Sequence, residues 1–155
     1  MKTLPLIISS LILISLCLGC KGLIGEEIGR LKINKVSTDD KLTSKEISLD
    51  LKKGQELVIW SDMDVEYDGE VSFEFKLEIS RNGEHFGQLT LDPTKKNVTL
   101  GETKIAIMDN TKWSFLGRNK KIDIKEDGQY TFKGILIASE NESLTVHKAE
   151  LIFKR

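Results

Sequence analysis

The chain has 155 residues, 39% of them hydrophobic and 30% charged, with 23 Lys+Arg against 24 Asp+Glu. Thirteen of the apolar residues lie in the first 20; the other 135 residues are about 35% apolar and keep 22 of the 23 basic groups and all 24 acids. A body this close to neutrality gives no support to a nucleic-acid footprint or a polybasic membrane patch, is too small for two cores, and, with Cys17 and Cys20 the only cysteines, holds neither a disulfide framework nor a thiolate metal site.

The chain opens on Met1-Lys2-Thr3, a short positive start, followed by an apolar run from Leu4 to Leu16 broken by Pro5, Ser9, Ser10 and Ser15. The run falls short of the roughly 20 residues a spanning helix needs, and its layout is that of a secretory signal. It ends in Leu16-Cys17-Leu18-Gly19-Cys20. That ending resembles the lipobox of bacterial lipoproteins, in which a small residue precedes an acylated cysteine. Gly19 and Cys20 fit the pattern; Cys17 stands where the family prefers Leu, and Leu18 where Ala or Ser is usual. The resemblance implies removal of residues 1–19 as a signal peptide and lipidation of Cys20. It also implies a bilayer partner and a cell-envelope location on the periplasmic or surface-facing side of a bacterial membrane. Acyl chains contribute about 0.8 kcal/mol per buried methylene, so several are needed for durable attachment. The rival readings are cleavage by the ordinary signal peptidase at Cys17-x-Gly19 or Cys20-x-Gly22, giving a secreted protein, and an anchor that is retained.

Residues 20–30 read as a tether, because Gly22, Gly25 and Gly29 oppose a stable helix. From residue 31 to 155 the pattern is period two, the signal of sheet. Ile47, Leu49 and Leu51 alternate with Glu46, Ser48 and Asp50, and Val71, Phe73, Phe75, Leu77 and Ile79 alternate with Ser72, Glu74, Lys76, Glu78 and Ser80. Further strands are expected at 31–36, 57–60, 86–91, 104–108, 113–116, 121–125, 130–138 and 144–153. No stretch beyond the leader has helical apolar spacing. Eight to ten strands, each with one polar face, predict an all-β, antiparallel two-sheet sandwich of jelly-roll or immunoglobulin-like type.

Register adds detail. A two-residue Asp68-Gly69 turn would set Tyr67 against Glu70 and Val65 against Ser72, mixing oily and charged side chains on one face. The connection is therefore odd in length, or the flanking strands belong to different sheets. Asn82-Gly83 is a plain hairpin signal, and the parity change near His147-Lys148 predicts a bulge.

Asp62, Asp64, Glu66 and Asp68, followed by Gly69, resemble the first half of an EF-hand calcium loop, but the twelfth position is Phe75 and the flanks read as strands, which excludes that loop. A Ca2+ site of another kind on these four carboxylates is one expectation; the solvent face of a strand is the other. For a ligand such as a glycan, exposed aromatics are the relevant groups, and Trp60, Tyr67 and Trp113 are the candidates. Trp60 and Tyr67 have opposite parity, so one should point away from the core. Tyr130 and Phe132 read as core. His85 and His147 read as surface residues, and no nucleophile motif is present in the sequence.

Binding, without catalysis, is the expected mode, and three hypotheses divide the ground. A glycan-binding module requires an exposed aromatic strip, with or without calcium. A structural or protein-interaction lipoprotein requires an unpaired edge strand or exposed apolar patch, with the aromatics buried. A secreted hydrolase-associated module requires a concave pocket with two carboxylates or a His-acid pair.

Overall fold

The computed structural model describes residues 25–155. The expected signal peptide over residues 1–19, the expected acylation site Cys20 and the first part of the expected tether lie outside the described residues. Nine strands follow in order: β1 (Glu27–Lys32), β2 (Lys45–Leu51), β3 (Glu56–Asp68), β4 (Phe73–Arg81), β5 (Glu84–Leu91), β6 (Val98–Ile107), β7 (Asn110–Asp123), β8 (Gly128–Ala138) and β9 (Thr145–Lys154). They form two antiparallel sheets, one ordered β1-β9-β3-β7-β6 and the other β2-β8-β4-β5, packed as a sandwich. Among the described residues there is no helix.

The alternation read from the sequence sets which side chains meet between the sheets. On β3 the odd positions Leu57, Ile59, Met63, Val65 and Tyr67 face inward; on β4 Phe73, Phe75, Leu77 and Ile79 do so. Phe132 of one sheet stacks on Phe153 of the other, ring centroids 4.8 Å apart. Each such side chain taken from water contributes about 1.5–3 kcal/mol before entropy is counted.

Three register details follow from the chain's parity. β3 and β4, flanking Asp68-Gly69, lie in different sheets, so the facing conflict never arises. β4 and β5 join through Asn82-Gly83, both with positive φ, as an Asn-Gly hairpin turn requires. Asp64 faces Lys148 and Val65 faces Val146, which leaves His147 as the bulged residue.

The domain begins earlier than expected. Glu27–Arg30, assigned from sequence to the tether, pairs with the end of β9. Gly29 serves close approach and not flexibility: a Cβ there would lie 2.5 Å from Ile47 Cδ1 and 2.9 Å from Leu49 Cδ2. The sandwich therefore closes where β1 meets β2. The segments expected at 113–116 and 121–125 are one continuous strand, β7.

Two poles result. At one, Glu26 and Arg155 exchange backbone hydrogen bonds of 2.8 and 3.0 Å beside the start of β3. At the other, Asp68 ends β3 opposite Asn110, next to the Met108-Asp109 turn. Thirteen residues of β3 separate them, about 40 Å of extended strand.

Candidate functional site

Trp60 and Tyr67, expected to divide between core and surface, are both buried, 4% and 5% exposed. The direction was legible and the exposure was not. Tyr67 joins the core, stacked edge-on against Phe73 at 6.1 Å, and burial pushes its hydroxyl pKa up. Trp60 does point out of the core, across from Arg118 and Ile152, but the Lys154 side chain lies over its ring at 4.8 Å. The lysine stem covers the indole, which is 4% exposed, so it offers no platform. Burial also pulls the Lys154 pKa down.

Trp113 is half-buried. Its Nε1 donates to Glu102 Oε1 at 2.7 Å, and the ammonium groups of Lys104 and Lys96 lie 4.4 and 5.2 Å from its ring centroid. The ring borders a shallow cleft of about 550 Å³ lined also by Tyr67, Glu70, Ser72, Thr94 and Thr111. Lys96, from the loop between β5 and β6, has a side chain only 7% exposed; it donates to the same Glu102 oxygen at 2.8 Å and sits 4.0 Å over Phe115. That hydrogen bond, followed by the one from Trp113, holds the Glu102 carboxyl below its usual pKa.

The four acids proposed for calcium do not converge. They occupy alternate residues of one strand, so six residues spread them over about 20 Å, far beyond the 2.3–2.6 Å reach of one ion. Neighbouring cations pair with two of them instead. Asp62 lies 3.4 Å from Arg30 and 3.3 Å from Lys148, and Glu66 lies 3.2 Å from Lys112 and 3.9 Å from His147. The Lys112 hydrogen bond keeps the Glu66 carboxyl below its usual pKa. Asp68 accepts from Asn110 at 3.1 Å. Among the described residues no three His, Cys, Asp or Glu side chains form a metal-holding group. The acidic segment is the outer face of β3.

The feature sequence reasoning missed lies on β6. Among the described residues this strand has a neighbour on one side only, β7. Its apolar side chains stand in solvent: Leu100 46% exposed, Ile105 51%, Ile107 67%, and Met108, at the turn, 99%. Met108 also holds φ at +54°, a left-handed conformation that favours Gly or Asn. The run Ile105-Ala106-Ile107-Met108 was a visible signal; what hid its meaning is that a strand's apolar face reads the same whether or not a second sheet covers it. The other edges differ: β1 carries Glu27, Arg30 and Lys32, β2 carries Lys45, Glu46 and Asp50, and on β5 the Phe86 ring, 54% exposed, packs edge-on against Tyr130 and under Arg81.

Neither a scan against protein-family models nor a search of curated proteins returned a match for this chain.

Proposed function

We propose that this chain is a lipid-anchored envelope protein, attached through Cys20, whose sandwich domain works by protein–protein contact along the open β6 edge and not by catalysis. The observation that carries this reading is the exposed apolar group of Ile105, Ile107 and Met108 on a strand with a free side. An unpaired edge presents backbone donors and acceptors to any strand that can align with it. The group sits at the pole away from Glu26–Arg155, so a domain rooted through its N-terminal lead holds this tip outward. A glycan-binding reading takes second place: it draws on the cleft beside Trp113, but two lysines already lie against that ring.

Two experiments test the proposal. Fatty-acid labelling of the native chain against Cys20→Ala should give label only in the former; no label in either removes the anchor. A photoreactive residue at Ile107 should give protein adducts in cells, whereas the same group at Ser48 on β2 should give none. Equal adducts at both positions would defeat the edge reading.

A further inference from the structure

We infer that the occupant of the β6 edge is a second copy of this chain, paired antiparallel in a register centred on Thr103. The inference rests on the edge-contact reading above and goes further by naming the partner. Ile107 faces Asn110 across the two-residue Met108-Asp109 turn, and the pairing runs on through Ile105 with Lys112, Lys104 with Trp113 and Thr103 with Ser114. In such a hairpin the residues flanking the turn form the hydrogen-bonded pair, and bonded and non-bonded pairs then alternate. Ile107, Ile105 and Thr103 thus spend their backbone groups on β7. Ala106, Lys104 and Glu102 aim theirs at the open side.

An incoming strand must set its own outward-aimed residues against these. For two copies of β6 that leaves few registers, and charge selects among them. Centring on Glu102 sets that acid against its own copy, and centring on Lys104 does the same with two ammonium groups. Centring on Ile105 carries Glu102 past the end of the partner strand, opposite Met108. Centring on Thr103 places Glu102 of each copy opposite Lys104 of the other, twice over. It also pairs the regular stretch of β6 from Gly101 to Ile105, on one side of the bulge at Leu100, faces Thr103 with Thr103, and sets Ile105 against the bare Gly101, where added side-chain bulk meets no atom within 4 Å. A two-fold contact needs a self-complementary patch; the sequence Gly101-Glu102-Thr103-Lys104-Ile105 is one.

The register dictates the test. Facing residues of a non-hydrogen-bonded antiparallel pair have Cα atoms about 4.5 Å apart, within the span of a disulfide, whereas the two Ile105 residues would lie about 14 Å apart along the strands. The full chain in mild detergent, carrying Thr103→Cys or Ile105→Cys, is oxidised and run without reductant, the unsubstituted chain serving as control for Cys17 and Cys20. Thr103→Cys should give at least about tenfold more covalent dimer than Ile105→Cys; equal yields overturn the register and the proposal. Sedimentation of the unsubstituted chain should show a concentration-dependent dimer, weakened about tenfold by Lys104→Glu, which turns both attractive pairs repulsive. A dimer indifferent to that change also overturns the proposal. If a photoreactive group at Thr103 captures a different protein and the chain stays monomeric, self-pairing fails while the edge reading stands. If it captures nothing and no dimer forms, both fail.

Discussion

Lys96 hands its ammonium to Glu102 across 2.8 Å, and in doing so ties the loop between β5 and β6 to the outermost strand of the five-stranded sheet. The lysine is almost wholly enclosed, while the acid keeps contact with water. Replacing Lys96 with Met keeps the stem over Phe115 and removes the charge, leaving Glu102 with the Trp113 donor alone. Loss of one partner from a fully buried pair costs 3–5 kcal/mol; with the acid part-solvated the expected loss is about 1–2 kcal/mol. Denaturant unfolding of Lys96→Met against the native chain measures it.

The same contact has a pH signature. Glu102 titrates below its ordinary value of 4.5 when folded, and Glu27, held by the Arg30 hydrogen bond, does likewise. A carboxylate depressed by folding adds stability above its unfolded pKa and loses it as pH falls through the folded value. Glu102→Gln should therefore be less stable than the native chain at pH 7, and the gap should close as pH drops below about 4.5. A gap that stays constant to pH 3 would show that the Lys96 contact owes nothing to charge.

Gly29 and Gly87 make a matched pair of substitutions. Alanine at Gly29 drives a methyl group into Ile47 and Leu49 at the seam between β1 and β2, and overpacking of this kind costs about 1–3 kcal/mol. At Gly87 nothing lies within 4 Å, so the change should stay within about 0.5 kcal/mol. Thermal melts of the two variants give the comparison directly.

Met108 sits fully exposed in a backbone conformation costly to any residue with a Cβ. Met108→Gly should raise stability by about 1 kcal/mol, or roughly 4 °C in melting temperature for a domain of this size. The same variant should lose photo-adducts at the neighbouring Ile107.

Calcium at millimolar concentration should leave the melting temperature unchanged. A cation bound only by the folded state would raise it as concentration rises; the four acids are spread along one strand, and Asp62 and Glu66 are already paired with Arg30, Lys148 and Lys112.

Legibility in the sequence followed the physics of period two. The strict alternation from Val71 to Ile79 told which face of β4 is buried; parity narrowed the Asp68 connection to an odd-length loop or a change of sheet, of which the structure shows the second, and placed a bulge near His147-Lys148. What parity cannot report is the company a face keeps. Trp60 points outward as its position dictates, yet Lys154, ninety-four residues later, covers it. Ile105 and Ile107 alternate like core residues and lie at the free edge. The acidic row on β3 resembled a ligand set because the cations that pair with Asp62 and Glu66 come from β1, β7 and β9, distant in sequence. Lys96 gave no signal, since a lysine two residues after Pro93-Thr94 reads as solvent-exposed turn until the Phe115 and Trp113 rings enclose it.

The opposed placement of Glu26–Arg155 and Met108 gives the domain a head and a foot. A two-fold axis through Thr103, normal to the sheet, exchanges them, so in the paired molecule one copy's head lies alongside the other's foot. Pairing along β6 would therefore carry the two N-terminal leads away from each other, one at either end of the joined sheet.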